Sequence, residues 1–232
     1  MSPRRNAAIA IDGPVASGKN TVGMLLAQRL SYCLLDTGAM YRALTWAGLQ
    51  QGVNFNDEAA LVRLADATPM RVTPATPERP LGELLIGGVD VTPLLRGADV
   101  EHNVSLLARV PGVRLRLVEA QRRLAGEGGV VMIGRDIGTV VLPNADLKVY
   151  LDASVTERAR RRHTEVAAKG DARAYQDILV DLERRDALDA GRADSPMRPA
   201  DDARILPTDG LSPDEVVEAI VAMLEERHGR SA

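Results

Sequence analysis

An α/β architecture, a parallel sheet flanked by helices, is predicted for this 232-residue chain by three observations. Short uninterrupted apolar runs recur, the mark of strands buried on both faces. They alternate with segments whose apolar residues return at helical spacing. The first run passes into a helix through a glycine-rich stretch, Gly13-Pro14-Val15-Ala16-Ser17-Gly18-Lys19-Asn20-Thr21, which is nearly a phosphate-binding loop. At 45% hydrophobic residues, one domain of this length can bury a sizeable core and still carry a smaller inserted module.

Taken in order, the first strand covers residues 7–11 and closes on Asp12. Val22, Leu25, Leu26 and Leu30 line one face of the helix after the loop. "YCLLD" reads as a second strand ending in Asp36, and "TGAMYRALTWAGLQQG" as a helix closing at Gly52. From 53 to 100 the character changes: prolines at 69, 74, 77, 80 and 93 separate the extended pieces "MRVT", "ELLIGG" and "VDVT", which suit a small antiparallel patch. A helix resumes after Pro111, with Val113, Leu117, Ala120 and Leu124 on one side, and "GGVVMI" and "ADLKVYLD" supply two more buried strands. Ser154 and Glu157 form a capping-box pattern opening an arginine-rich helix, and "ARIL" is a last short strand. Ser212, Pro213 and Glu215 open the final helix, with Val216, Val217, Ile220 and Leu224 inward.

Composition excludes several classes. A formal charge of −3 with 3% aromatic residues offers nucleic acid neither a general attraction nor a stacking platform. Cys33 is the only cysteine, so no intramolecular disulfide can form; it reads as a small buried hydrophobe in a reducing compartment. His102, His163 and His228 have no metal-ligand spacing. No segment approaches the roughly 18 apolar residues of a membrane span, and the first apolar stretch is too brief for a signal-peptide core. The expectation is a cytoplasmic monomer without nucleic-acid or membrane partners.

The chemistry lies in three constellations. Backbone N–H groups from Gly13 to Thr21, with the positive end of the following helix, can wrap polyphosphate, and Lys19 adds a mobile charge at the transferred group. Asn20 stands where the pattern asks for Ser or Thr, so its amide oxygen, or the Thr21 hydroxyl, is the candidate magnesium contact. Asp36, Thr37 and Arg42 lie at the end of the second strand, where ligands of doubly wound sheets collect. Arg185, Asp189 and Arg192, spaced i, i+4 and i+7, share a helix face able to fork onto phosphate and accept from sugar hydroxyls. Each also fits a blander alternative: a strand-to-helix turn, a capped helix with a surface arginine, or a solvated ion-pair ladder. These residues together reach a phosphate-loop phosphotransferase and no further.

"IAIDGPVASGKNT", "LDTGAMYR", "GRDIGTVVLPNADLKVYLDAS", "ERARRR" and "RRDALDAGRADSPMRPADDA" resemble, in order and over nearly the whole chain, the bacterial cytidylate kinase family. The resemblance implies a P-loop kinase core (1–52 and 101–232), a monophosphate-side insertion (53–100) and a helical lid (162–184) within a single domain. It implies transfer of the γ-phosphoryl group of ATP to CMP or dCMP with Mg2+ as cofactor. ATP would lie on the loop with Arg158, Arg161 and Arg162. CMP would meet Asp36, Thr37, Arg42, Ser105, Arg114, Arg135, Asp136, Arg185, Asp189 and Arg192, with Lys19, Arg135, Asp136 and Arg185 acting on the migrating group. The chain departs from the family at Asn20, at Ile133, where an acid usually precedes "GRD", and at Pro207, where "LPT" replaces "LDT". Asn20 and Ile133 bear on the magnesium contacts. A related kinase for another acceptor such as UMP, or a binding-only regulator, are the rival readings.

Overall fold

The computed structural model describes residues 7–73, 83–126, 128–168, 170–191 and 197–229. Five parallel strands form the central sheet: β1 (Ala8–Asp12), β2 (Cys33–Asp36), β6 (Val130–Ile133), β7 (Leu147–Asp152) and β8 (Arg204–Pro207). Their order is β2-β6-β1-β7-β8. The chain leaves β1, makes helix α1 (Lys19–Leu30) and returns as β2 two positions away, so β6 enters the gap between them. β1 ends up central, with Ile11 in register with Ile133 of β6 and Val149 of β7. The crevice outside the carboxyl ends of these strands is where such sheets place ligands.

The alternating direction of side chains explains the two cores. Ile9, Ile11, Val149 and Leu151 pack under α1 and α8 (Pro213–Gly229), together with Leu26, Val217 and Ile220. Ala10, Leu35 and Met132 point the other way and meet Val118 of α5 (Pro111–Ala125) and Ile137. A third cluster joins Met40 and Leu44 of α2 (Thr37–Gln50) to Leu61, Leu107, Val113 and Leu117. α2 stops as expected at Gly52, φ 64°, where Gly52 N–H reaches Leu49 O at 3.1 Å and Val53 N–H reaches Gly48 O at 2.9 Å. That pairing satisfies the last carbonyls of the helix. Ser212 and Glu215 make both bonds of the capping box ahead of α8.

The 53–100 region contains the antiparallel patch, β3 (Met70–Val72), β4 (Leu84–Ile86) and β5 (Val89–Asp90), in the order β3-β4-β5. Two helices there and beyond it were not anticipated: α3 (Glu58–Ala67) and α4 (Ala98–Ala108). The signal for α3 was present, since the Asp57 side chain caps it through Ala60 N–H at 2.9 Å and Leu61 and Leu64 lie on its buried side. "GRDIGTVV" holds a further surprise. Residues Ile137–Val141 form one π-helical turn, a form frequent at functional sites. The remaining helices, α6 (Val155–Ala167) and α7 (Tyr175–Ala190), pack together over Ala159, Val166, Ile178 and Leu182. No helix among the described residues is long and apolar enough to cross a membrane.

Candidate active site

The loop after β1 is shaped by close approach. A Cβ on Gly13 would lie 2.3 Å from the Leu151 carbonyl oxygen, and Gly18, at φ 96°, starts α1 from the left-handed region. Ala16 also holds a positive φ, 62°, a strain more often kept at ligand sites than elsewhere. No side chain caps the start of α1, so its first N–H groups remain suited to an anion. Lys19 folds back over the loop, its Nζ donating to Gly13 O at 2.7 Å, Pro14 O at 2.6 Å and Ser17 Oγ at 3.4 Å. Burial pulls its ammonium down to about 7, helped by Arg135 and opposed by Asp12 and Asp36. These neighbours place the "GRD" arginine and the β2 carboxylate in the same electrostatic cluster as the loop lysine.

Asp36 organises the end of β2. Its Oδ1 accepts from Ala39 N–H at 3.2 Å, capping α2, and its Oδ2 accepts from Arg42 Nη2 at 3.0 Å and Asn20 Nδ2 at 3.1 Å. Arg42 is one-fifth exposed, and its Nε is buried without a partner. Thr37 differs from expectation: it is buried, and its hydroxyl donates to Ile133 O at 2.9 Å, tying α2 to the end of β6 rather than facing a ligand.

The "GRD" segment is held from below by a residue that sequence reasoning passed over. Asp12 is buried, and its two oxygens accept from Ile137 N–H and Gly138 N–H, each at 2.8 Å. Burial raises its carboxyl to about 6 despite those two bonds, with Asp136 adding to the rise. Asp136 in turn pairs with the Nη2 of Arg114, and the Arg114 guanidinium lies 5.8 Å from the centre of the Tyr41 ring. That separation is within cation–π range, so Tyr41 orients Arg114 across the site. Ser105, expected beside Arg114, is exposed on α4.

The arginines of α6 divide by depth. Arg158 is 4% exposed; its Nε donates to Ala153 O at 3.0 Å, its Nη1 to Val15 O at 3.2 Å, and its fork holds Asp186 of α7 at 3.3 and 2.5 Å. It therefore braces the loop from beneath, whereas the resemblance implies a contact with ATP. Arg161 reaches Ser17 O at 3.4 Å, Thr208 O at 2.6 Å and Thr208 Oγ1 at 3.2 Å. Arg162 pairs with Glu165 at 2.8 Å on the surface, and no hydrogen bond takes it to the loop. Its one-position offset along the helix turns it away. Arg185 approaches Glu101 of α4 at 3.9 Å. The Asp189 side chain and Arg192 lie outside the described residues.

The two remaining departures acquire physical reasons. Ile133 is 1% exposed and packs beneath α1, where a Cβ on Gly23 would meet its Cγ2 at 2.7 Å. Its side chain fills hydrocarbon, so it offers nothing to a metal. Pro207 ends the edge strand opposite Asp152. Thr208 N–H donates inward to Asp152 O at 2.7 Å, and because successive amides on a strand face opposite ways, the nitrogen of Pro207 faces the open edge. The missing donor costs no ladder bond.

A phosphate cradle, a lysine across it, and a carboxylate–arginine pair at the neighbouring strand end now stand together. The family model for cytidylate kinase matches residues 9–226. The chain belongs to the cytidylate kinase family. A cytidylate kinase of Geobacillus kaustophilus (strain HTA426) is 49% identical over 97% of this chain and 100% of its own length. One from Herpetosiphon aurantiacus is 48% identical over 93% of each chain. Among solved structures, a gluconokinase from Sinorhizobium meliloti 1021 aligns over 96% of this chain and 94% of its own at a TM-score of 0.49 and 16% identity. This cytidylate kinase family member is an ATP-dependent nucleoside monophosphate kinase, and the sheet order and loop above are the frame on which its chemistry is built.

Proposed function

We propose that the described site transfers the γ-phosphoryl group of ATP to CMP or dCMP, giving ADP and CDP or dCDP, with the following division of labour. The loop N–H groups and the start of α1 hold the ATP phosphates. Lys19, now resting on loop carbonyls, moves onto the γ-phosphate and stabilises the charge that spreads over it during transfer. Arg135, already an electrostatic neighbour of Lys19, serves the same group. Arg42 and Arg185 hold the acceptor phosphate, Arg114 and Asp136 the pyrimidine side, and Asp189 with Arg192 the ribose and phosphate. The 53–100 insertion closes the acceptor side, and the 162–184 segment acts as a lid that excludes water as a competing acceptor.

Magnesium fits the donor set beside the loop. The Asp36 carboxylate and the Asn20 amide oxygen are hard oxygen donors on side chains joined by the 3.1 Å bond from Asn20 Nδ2 to Asp36 Oδ2, and Thr21, exposed like Asn20, follows it on α1. Asn20 or Thr21, beside the Asp36 carboxylate, would hold the ion, which would supply neutralisation of the ATP phosphate charge.

The observation that carries the reading is Lys19 folded over the glycine-rich loop, with Arg135, Asp12 and Asp36 within its electrostatic reach at the carboxyl ends of β1, β2 and β6. Coupled ADP release with CMP, dCMP, UMP, AMP and GMP tests it. CMP and dCMP should give the highest kcat/KM; turnover with UMP equal to that with CMP would replace the acceptor assignment, and no turnover with any would favour a binding-only regulator.

A further inference from the structure

Asn20 carries more than the metal contact suggested by its place after Lys19. It sits in the first turn of α1, the element whose N-terminus receives the donor phosphates, yet its side chain reaches sideways to the acceptor-side carboxylate, Asp36. The same Asp36 oxygen takes Arg42, while the other caps α2. The cluster is tightly built: a Cβ on Gly38 would come within 3.1 Å of both Arg42 Nη1 and Asp36 Oδ1. Arg42 also keeps a buried Nε with no partner, so its guanidinium is aimed but only partly satisfied.

We propose that Asn20 is a positioning residue that couples the two nucleotide sites, pinning Asp36 so that Arg42 stays presented to the acceptor phosphate. Two donors compete for Asp36 Oδ2. With Asn20 present, that oxygen is shared, and Arg42 is held through Nη2 alone, with Nη1 left outside the pair. Without it, the carboxylate can turn to grip Arg42 bidentately, the stronger arrangement, and withdraw it from the ligand. A serine cannot substitute, because its hydroxyl sits one bond closer to the backbone than the asparagine amide and falls short of Asp36. ATP phosphates that order the first turn of α1 also order Asn20, and through it the acceptor arginine. Binding at either site therefore favours binding at the other, as linkage requires.

This inference rests on the assignment of Arg42 to the acceptor phosphate, and its test separates the two. CMP binding is measured by calorimetry without magnesium, alone and with a saturating non-hydrolysable ATP analogue, for the natural protein, Asn20→Ala, Asn20→Ser and Arg42→Ala. Asn20 is exposed, so its variants should fold, which thermal melting checks. Both Asn20 variants should weaken CMP binding about fivefold and abolish the tightening of CMP produced by the analogue, and Arg42→Ala should weaken it further. CMP affinity unchanged in both Asn20 variants, with Arg42→Ala impaired, would overturn the coupling role and leave Asn20 to the metal alone. CMP affinity unchanged in Arg42→Ala would remove the acceptor assignment, and the coupling role with it.

Discussion

Truncating Arg158 to alanine should cost stability before it costs chemistry. Its side chain is 5% exposed and forks onto Asp186, itself 25% exposed, while also serving carbonyls of Ala153 and of Val15 in the phosphate loop. Breaking a buried ion pair from one side typically costs about 3–5 kcal/mol, because the other charge is left without compensation. Asp186 retains a quarter of its exposure, which places the loss near the lower end, at about 3 kcal/mol. For a chain of this size that corresponds to a fall in melting temperature of about 6–12 °C. Lysine should recover part of the loss, since a point charge can meet Asp186 but cannot also fork to the two carbonyls. Scanning calorimetry of Arg158→Ala, Arg158→Lys and Asp186→Ala, closed into a double-mutant cycle, measures this directly. Arg162→Ala is the control, since its partner Glu165 lies on the surface and the pair should contribute little. A melting temperature unchanged in Arg158→Ala, with a raised KM for ATP, would refute the bracing role and return Arg158 to direct contact with the nucleotide.

Two further outcomes follow from the site. Lys19→Ala should lower kcat by about 100-fold or more while CMP affinity stays within about twofold, as measured by single-turnover kinetics and calorimetry; an unchanged kcat would remove the loop lysine from the mechanism. Asp12 supplies a pH signature. Its folded carboxyl is raised from 3.8 to about 6, so the folded protein holds a proton there that the unfolded chain has released, and stability from this group falls as pH rises through that window. At about 1.4 kcal/mol per pKa unit the net loss is about 3 kcal/mol, nearly complete once the pH is well above 6. Asp12→Asn should abolish this component, and denaturant unfolding from pH 4 to 7 should show the two proteins' stabilities changing with different slopes; parallel profiles would contradict it.

Local information was enough for much of the molecule. The continuous apolar runs of β1, β2, β6 and β7 identify buried parallel strands, since a strand covered on both faces has no polar side to show. Ser212 with Glu215 and Gly52 mark helix ends because caps act within a few residues. The glycines at 13 and 18 announce the loop because a side chain at either position meets a clash or a strained φ. The contacts that turn these pieces into a site could not be read the same way. Asp12 meets Ile137 and Gly138 across more than a hundred residues, Arg158 meets Asp186, Arg161 meets Thr208, and Arg114 meets Asp136. Each pairing depends on which strand ends and helix faces lie side by side. The order β2-β6-β1-β7-β8 is a property of packing between distant segments, and spacing along the chain does not encode it. So the sequence by itself determined the fold class, the cradle and the residue types available for phosphate. The tertiary structure alone decided which arginines support the loop from within and which remain to meet a ligand, because only burial separates Arg158 from Arg42.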